Sequence, residues 1–413
     1  MTKKIGILCL FFLLTYLVGL NISYADNAEV LPKGVSRASA LGKFYLPVDK
    51  RYDPDGKEED VAEDYNGTLD SSVFPDLELV EAGFGLPPGS ANIGDSVVSF
   101  EYDFTLIEFY YQYGITDKFS VGVKIPYWDV RNDVNADLDT SNATVGKSAM
   151  LNMLAPIGFM DTVPITTKDI QNLLGDGLDI NGDGNIDIEG YGYKPIKNWS
   201  GSGISDMEIA SRYQYLKTEN WRLAFTGGVR LPTGRIDDPD NLMDYPLGTG
   251  AYALLFQSQN DYTGIENFVL NATFRYDYYI PDTAKLRVPS DVNEPLTSNK
   301  ERVDRKYGDI IELEASASYA LPKGFGCWLL YKYGAKFKNE VDGDLGFNYK
   351  SLEDETDYKE HVGIIGLSYS TVPLFQAKKF PIPLTVTLSY RNRFAGENVL
   401  KSQYIGFGLS VFF

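Results

Sequence analysis

The chain ends on Tyr404-Ile405-Gly406-Phe407-Gly408-Leu409-Ser410-Val411-Phe412-Phe413. In an extended strand, successive side chains point to opposite faces. Ile405, Phe407, Leu409, Val411 and Phe413 therefore share one face, and Gly406, Gly408 and Ser410 share the other. The same period runs backward through the chain. In 384–394, Leu384, Val386, Leu388 and Tyr390 oppose Thr385, Thr387, Ser389, Arg391 and Arg393. In 268–279, Phe268, Leu270, Ala272, Phe274, Tyr276 and Tyr278 oppose Asn271, Thr273, Arg275, Asp277 and Tyr279. In 221–231, Trp221, Leu223, Phe225, Gly227, Val229 and Leu231 oppose Arg222, Ala224, Thr226, Gly228 and Arg230. A soluble sandwich would bury the apolar face of such strands. A transmembrane barrel would turn that face to lipid and enclose the charged one. The period by itself fits both.

Three features select the barrel. The alternating runs are long, about 9 to 11 residues or more, as a tilted membrane strand requires, where soluble strands average about 5 to 6. Phe119, Tyr213, Tyr215, Trp221, Tyr276, Tyr278, Phe325 and Tyr369 stand near strand ends, where an aromatic girdle meets the headgroups. Short links at 115–118, 217–220, 262–266, 321–324 and 371–380 alternate with long ones at 49–96, 128–202, 233–249, 281–306 and 338–357. Periplasmic turns are short and external loops long in such proteins. The terminal strand ending on Phe413 resembles the signature by which the outer-membrane assembly machinery recognises its barrels.

The predicted fold is an all-β, transmembrane antiparallel barrel of twelve strands with long extracellular loops. The strands are 35–48, 97–114, 119–127, 203–216, 221–232, 250–261, 267–280, 307–320, 325–337, 358–370, 381–394 and 402–413. Lipid tolerates no open sheet edge, so 35–48 must pair with 402–413. Strand 97–114 shows a phase break: its apolar set passes from Phe100, Tyr102, Phe104 and Leu106 to Ile107, Phe109, Tyr111 and Tyr113. Either a β-bulge near 105–107 restores register, or the upper strand projects above the membrane.

Lys3 and Lys4, an apolar run from Ile5 to Leu20 and then Ser23-Tyr24-Ala25 follow the order of a secretory signal peptide. The expected organisation is a leader over 1–25 and a single barrel over 26–413, with insertions at 49–96 and 128–202. Cys9 lies in the leader, which leaves Cys327 alone and rules out a cysteine-based metal site. With 57 Asp+Glu against 38 Lys+Arg and a formal net charge of −19, the chain lacks the basic surplus that a nucleic-acid partner needs. The expected partners are outer-membrane lipid and lipopolysaccharide, the barrel assembly machinery during biogenesis and a small-molecule cargo.

No nucleophile–base–acid set is legible. The single histidine, His361, makes a His-based zinc site untenable, and the serines lack a nucleophile elbow. The chain reads as a non-enzyme. One motif is sharp: Asp179-Ile180-Asn181-Gly182-Asp183-Gly184-Asn185-Ile186-Asp187-Ile188-Glu189. Asp179, Asn181, Asp183 and Asp187 supply oxygen at loop positions 1, 3, 5 and 9. Gly184 takes position 6, and Asn185 offers its carbonyl at position 7. Gly190 replaces the usual bidentate Glu at position 12, and Glu189, Asp176 or a distant loop residue is the candidate substitute. The pattern predicts a structural Ca²⁺ site of weak affinity. A short helix is expected at 167–174. The apolar stretch Ala149–Met160 is expected either to fold into the barrel mouth as a lid or to pack against neighbouring loops.

The face opposite lipid nominates the lumen lining: Glu101, Asp103, Glu108, Asp206, Glu208, Asp277, Glu312 and Glu314 on the acidic side, and Lys124, Arg212, Arg222, Arg230, Arg275, Lys332, Lys336, Arg391 and Arg393 on the basic side. They fit either a sealed salt-bridge network or opposed ladders along a water path.

Three segments carry a family resemblance: Gln112-Tyr113-Gly114-Ile115-Thr116-Asp117 with Val121-Gly122-Val123-Lys124-Ile125-Pro126-Tyr127, Gly203-Ile204-Ser205-Asp206-Met207-Glu208, and Gly227-Gly228-Val229-Arg230-Leu231-Pro232-Thr233-Gly234. On these the chain resembles the transporter-like outer-membrane β-barrel family named for the phenol-degradation meta-pathway. The resemblance implies passage of small aromatic or hydrophobic compounds and supplies no residue roles. The expected function is an outer-membrane channel or facilitator for small solutes. The alternative is a closed structural or binding barrel presenting calcium-stabilised loops.

Overall fold

The computed structural model describes residues 27–146, 165–179, 183–290 and 296–413. The leader, the Ala149–Met160 stretch and Asn181 lie outside the described residues. Twelve antiparallel strands close a barrel: β1 (Ser36–Tyr45), β2 (Asn92–Thr116), β3 (Phe119–Asp139), β4 (Met207–Lys217), β5 (Trp221–Leu231), β6 (Ala253–Ile265), β7 (Phe268–Tyr279), β8 (Ile310–Ala320), β9 (Phe325–Lys336), β10 (Tyr358–Ser370), β11 (Leu384–Glu397) and β12 (Gln403–Phe412). Each pairs with its neighbours in sequence. β1 and β12 close the cylinder, with Ala38 opposite Val411 and Phe44 opposite Ile405. No edge is left for lipid to meet.

Ile405, Phe407 and Leu409 are exposed on the outside, as are Leu388, Leu367, Ile365, Phe256, Phe225 and Ile209 on neighbouring strands. In a membrane this surface is solvated by acyl chains. Cys327 is a free thiol on the same outward register, opposite Tyr319 and Leu367. At the periplasmic rim, cross-strand ring pairs Trp221–Tyr262, Phe268–Tyr319 and Phe325–Tyr369 stand 4.6 to 4.9 Å apart. They form the girdle that the aromatic placement predicts.

β2 and β3 are far longer than the rest, 25 and 21 residues. Their register runs unbroken from Val97 opposite Asp137 through Thr105 opposite Asp129 to Tyr113 opposite Val121. The bulge expected near 105–107 is therefore absent. The upper halves stand above the membrane as a ribbon flanked by the short strands Gly67–Asp70 and Trp199–Ile204. Outward pairs are apolar up to Ile107–Tyr127 and turn polar at Thr105–Asp129, Asp103–Arg131 and Glu101–Asp133. The phase break in the sequence marks the upper membrane surface. The long 128–202 loop is shorter than expected at both ends, because β3 continues to Asp139 and Trp199–Ile204 extends β4 upward along β3.

The 49–96 insertion carries short strands and helix α1 (Asp76–Phe84). The helix buries Leu77 and Val80 against Phe74, Ile93, Val145 and Ile165 above the ribbon. Helix α2 (Thr167–Leu174) falls at the expected place. Thr166 caps it: its hydroxyl accepts the Asp169 N–H, and the Asp169 carboxylate accepts the Thr166 N–H. The link at 371–380 folds into a short helix, α3 (Val372–Gln376), under the periplasmic end.

Candidate functional site in the barrel lumen

The lumen is built in layers. Uppermost is an aromatic layer. Tyr45 at the end of β1, Phe104 on β2 and Trp128 on β3 point inward, with ring centroids 5.7 and 6.0 Å from Tyr45. Tyr245 comes down from the 232–252 loop and packs edge-on against Phe104 at 5.0 Å and Tyr102 at 5.8 Å. Arg235 fixes that loop: its guanidinium holds Asp244 with both nitrogens and donates to the Tyr245 carbonyl. Phe104 is buried at the centre of this layer, and Tyr45, Trp128 and Tyr245 are partly buried around it.

Below the rings runs a belt of ion pairs. Lys43 pairs with Glu108 at 2.5 Å. Glu208 receives Lys124 at 2.9 Å, Arg230 at 2.7 Å and Arg275 at 3.2 Å. Asp277 binds Arg230 and Arg275. Lys332 bridges Glu312 and Glu360, both at 2.8 Å. Glu360 also takes Arg391 and Arg393. The belt closes through Tyr404 on β12, whose ring lies 5.6 Å from the Arg391 guanidinium and 5.8 Å from the Lys43 ammonium. Cross-strand register puts these residues side by side: Lys124 opposite Glu208, Glu208 opposite Arg230, Arg275 opposite Glu312, Arg391 opposite Tyr404.

Beneath the belt lies a cavity of about 380 Å³. Lys124, Glu208 and Arg275 line its roof, and Arg37, Gln112, Arg212, Thr226 and Gln257 line its walls. Its floor is the segment Asn27–Leu31, which enters the barrel from below. The Ala28 N–H donates to Asp261, Gln214 donates to the Ala28 carbonyl, Arg212 donates to the Asn27 carbonyl, and Arg222 pairs with Glu29. Ala28 is fully buried. On the β9–β10 side the lumen is filled by Trp328, which lies flat on Gly366; a Cβ there would sit 2.4 Å from the indole.

Most of the sequence-derived lining points inward: Glu108, Lys124, Glu208, Arg230, Arg275, Asp277, Glu312, Lys332, Arg391 and Arg393 meet in the belt, and Arg212 and Arg222 hold the floor. Glu314 shares the inward register, opposite Lys332 and Thr273. Lys336 turns inward higher up and donates to the Thr356 carbonyl and Asn339. Two placements differ from expectation. Glu101 and Asp103 face outward and are exposed, because above the lipid it is Phe100 and Phe104 that turn into the packed interior. Asp206 lies between strands and latches loops: it accepts the Gly234 N–H and the Thr249 N–H and hydroxyl. Sequence reasoning missed Lys43, Glu360, Tyr404 and Glu29. Glu360 was hidden because β10 carries Val362 and Ile364 inward and Ile365 and Leu367 outward, so neither face reads as polar.

The candidate calcium loop hangs from a two-residue ladder, Gly177–Leu178 against Ile188–Glu189. Asp179 accepts the Gly184 N–H at 2.9 Å, and Gly184 has a left-handed φ of 90°. Asp183 accepts both the backbone and side-chain N–H of Asn185. Asp187 donates its N–H to the Leu178 carbonyl. Glu189 stands in the ladder opposite Gly177.

A family described as "Putative MetA-pathway of phenol degradation" matches residues 81–407. No curated protein matches the sequence. Among solved structures, an outer membrane channel from Pseudomonas putida F1 superposes with a TM-score of 0.52 at 12% identity, covering 95% of this chain and 100% of that one. A Pseudomonas aeruginosa FadL homologue gives 0.35 at 11% identity, over 94% and 93% of the two chains. The TodX monoaromatic hydrocarbon channel, as a deletion mutant, gives 0.36 at 12% identity, over 94% and 92%. The fold is that of an outer-membrane β-barrel.

Proposed function

The chain belongs to that phenol-degradation family, and from this premise we propose that it is an outer-membrane channel for small aromatic or otherwise hydrophobic solutes. The observation that carries the reading is the layered lumen. A layer of rings, with Tyr45, Trp128 and Tyr245 partly buried around Phe104, stands above a charged belt, and a cavity lies below it. Aromatic faces attract flat solutes by stacking and edge contacts, worth about 0.5–1.5 kcal/mol per pair beyond simple burial. Twelve strands leave an interior wider than a filled eight-strand barrel and narrower than a porin, which suits cargo of one ring. No catalytic step is part of this reading.

A second reading has its own observation. The belt pairs its charges around the circumference, as a sealed structural barrel would. Ion current through the reconstituted barrel in a planar bilayer separates the two. The channel reading expects stable current steps that a phenol-sized solute, such as benzyl alcohol added to the outer side, interrupts in a concentration-dependent way. A correctly folded barrel that passes no current would establish the closed reading.

We further propose that Asp179, Asn181, Asp183, Asn185, Asp187 and Glu189 hold a Ca²⁺ ion that pins the 175–198 segment over the mouth. The oxygen-only donor set and the turn at Gly184 support it. Without a bidentate Glu at position 12, affinity should be weak, on the order of 0.1–1 mM. Limited proteolysis tests this. Calcium should protect the 183–190 bonds, and Asp183→Asn should abolish the protection. Equal cleavage with calcium and with chelator would rule the site out.

A further inference from the structure

The belt is unbalanced. Its cations are Lys43, Lys124, Arg230, Arg275, Lys332, Arg391 and Arg393; its carboxylates are Glu108, Glu208, Asp277, Glu312 and Glu360. Among the described residues, seven positive groups thus face five negative ones, or six with Glu314, which shares the inward register opposite Lys332. The imbalance concentrates at Glu360, where one carboxylate serves Lys332, Arg391 and Arg393. The aromatic layer adjoins this sector: Tyr404 stacks under Arg391 and packs 5.1 Å from Tyr45, which in turn contacts Trp128. Below, the cavity again carries more basic than acidic lining, with Arg37, Lys124, Arg212 and Arg275 against Glu29 and Glu208.

We propose that the lumen selects aromatic acids in their anionic form, a carboxylate on a single ring, over neutral aromatics and over cations. The proposal rests on the channel reading and names its substrate class. A neutral ring gains from the aromatic layer but then meets a belt of charges to which it has nothing to offer. A carboxylate can take the place of Glu360 on Arg391 or Arg393 and pass from one guanidinium to the next, since planar forks bind carboxylates from successive directions. Its ring meanwhile keeps contact with Tyr45 and Tyr404.

The chain's overall charge of −19 does not oppose this. External carboxylates are screened within about 8 Å at physiological salt, whereas charges in a narrow passage with low-dielectric walls focus their field on whatever enters.

Reversal potentials of the full barrel under gradients of potassium benzoate, potassium acetate and potassium chloride test the proposal. Anions should pass in preference to potassium, and benzoate in preference to acetate. Arg393→Gln should lower the benzoate-to-potassium permeability ratio, and Glu360→Gln should raise it, each by about threefold. Folding of each variant is read from heat-modifiable gel mobility. If either variant fails to fold, the other variant and the wild-type ratios still decide. Cation preference, or benzoate no better than acetate, would overturn the proposal and leave the channel reading standing. Absence of any current would overturn the channel reading itself.

Discussion

Glu208 shows what a single lumen residue does. One carboxylate, nearly buried, is held by a lysine and two arginines from β3, β5 and β7. Removing one partner of a buried ion pair leaves uncompensated charge, and the cost is about 3–5 kcal/mol. Glu208→Gln should therefore lower the barrel's stability by about 3 kcal/mol. Urea titration followed by the gel shift between folded and unfolded forms measures it, and a loss under about 1 kcal/mol would mean that the belt is not cooperative. Gly114 makes a second point. A Cβ there would sit 2.0 Å from the Pro32 carbonyl, and its backbone trades hydrogen bonds with Gly34 and Val35. Gly114→Val should therefore dislodge the chain entering the lumen, making the 27–35 bonds cleavable by added protease. Unchanged resistance would show that the segment is held from elsewhere.

At the scale of elements, much was legible because lipid enforces strict alternation. Where lipid lies outside, apolar residues face out, so parity alone put Lys124, Arg230, Arg275 and Arg391 in the lumen. The same alternation marks most of the twelve strands. The upper halves of β2 and β3 break the rule. There water lies outside and a packed cap within, so Phe100 and Phe104 turn in while Glu101 and Asp103 turn out. β1 and β10 mix polar and apolar residues on both faces, which concealed Lys43 and Glu360. Contacts between loops were not legible at all, since they join segments with no shared period.

Arg287 is such a contact. It stacks 3.8 Å from the Tyr193 ring, donates to the Tyr191, Gly192 and Thr297 carbonyls and pairs with Asp240. Lys300 binds the same carboxylate. Burial alone would raise the Asp240 pKa, but the Lys300 and Arg287 hydrogen bonds outweigh it and hold the group below its ordinary value of 3.8. A depressed pKa contributes stability that is complete above the unfolded value and is lost as pH falls through the folded one. Loops 232–252 and 281–306 should therefore stay joined at neutral pH and separate only below about pH 3.8. Asp240→Asn should loosen them at pH 7 already. Amide exchange across 236–247 would quicken a few-fold, the size expected of a half-exposed pair worth about 1 kcal/mol. Exchange that is equal in wild type and variant would remove Asp240 from the account.

For the whole molecule, the sequence implies a wall and the structure adds what stands inside it. Rings, belt, cavity and entering chain succeed one another from mouth to base. Two of these, the belt and the rings, belong to the strands and the loop above them. The floor does not: Asn27–Leu31 is held by hydrogen bonds to Asp261, Gln214 and Arg212 and by the Arg222–Glu29 pair, and it carries no strand of the wall. In the channel proposed above, this segment obstructs the base. The most direct measurement compares single-channel conductance of the barrel with that of a variant lacking residues 27–31. Small steps are expected in the first and steps severalfold larger in the second, with the gel shift unchanged. Equal conductance in the two, or none in either, would contradict it.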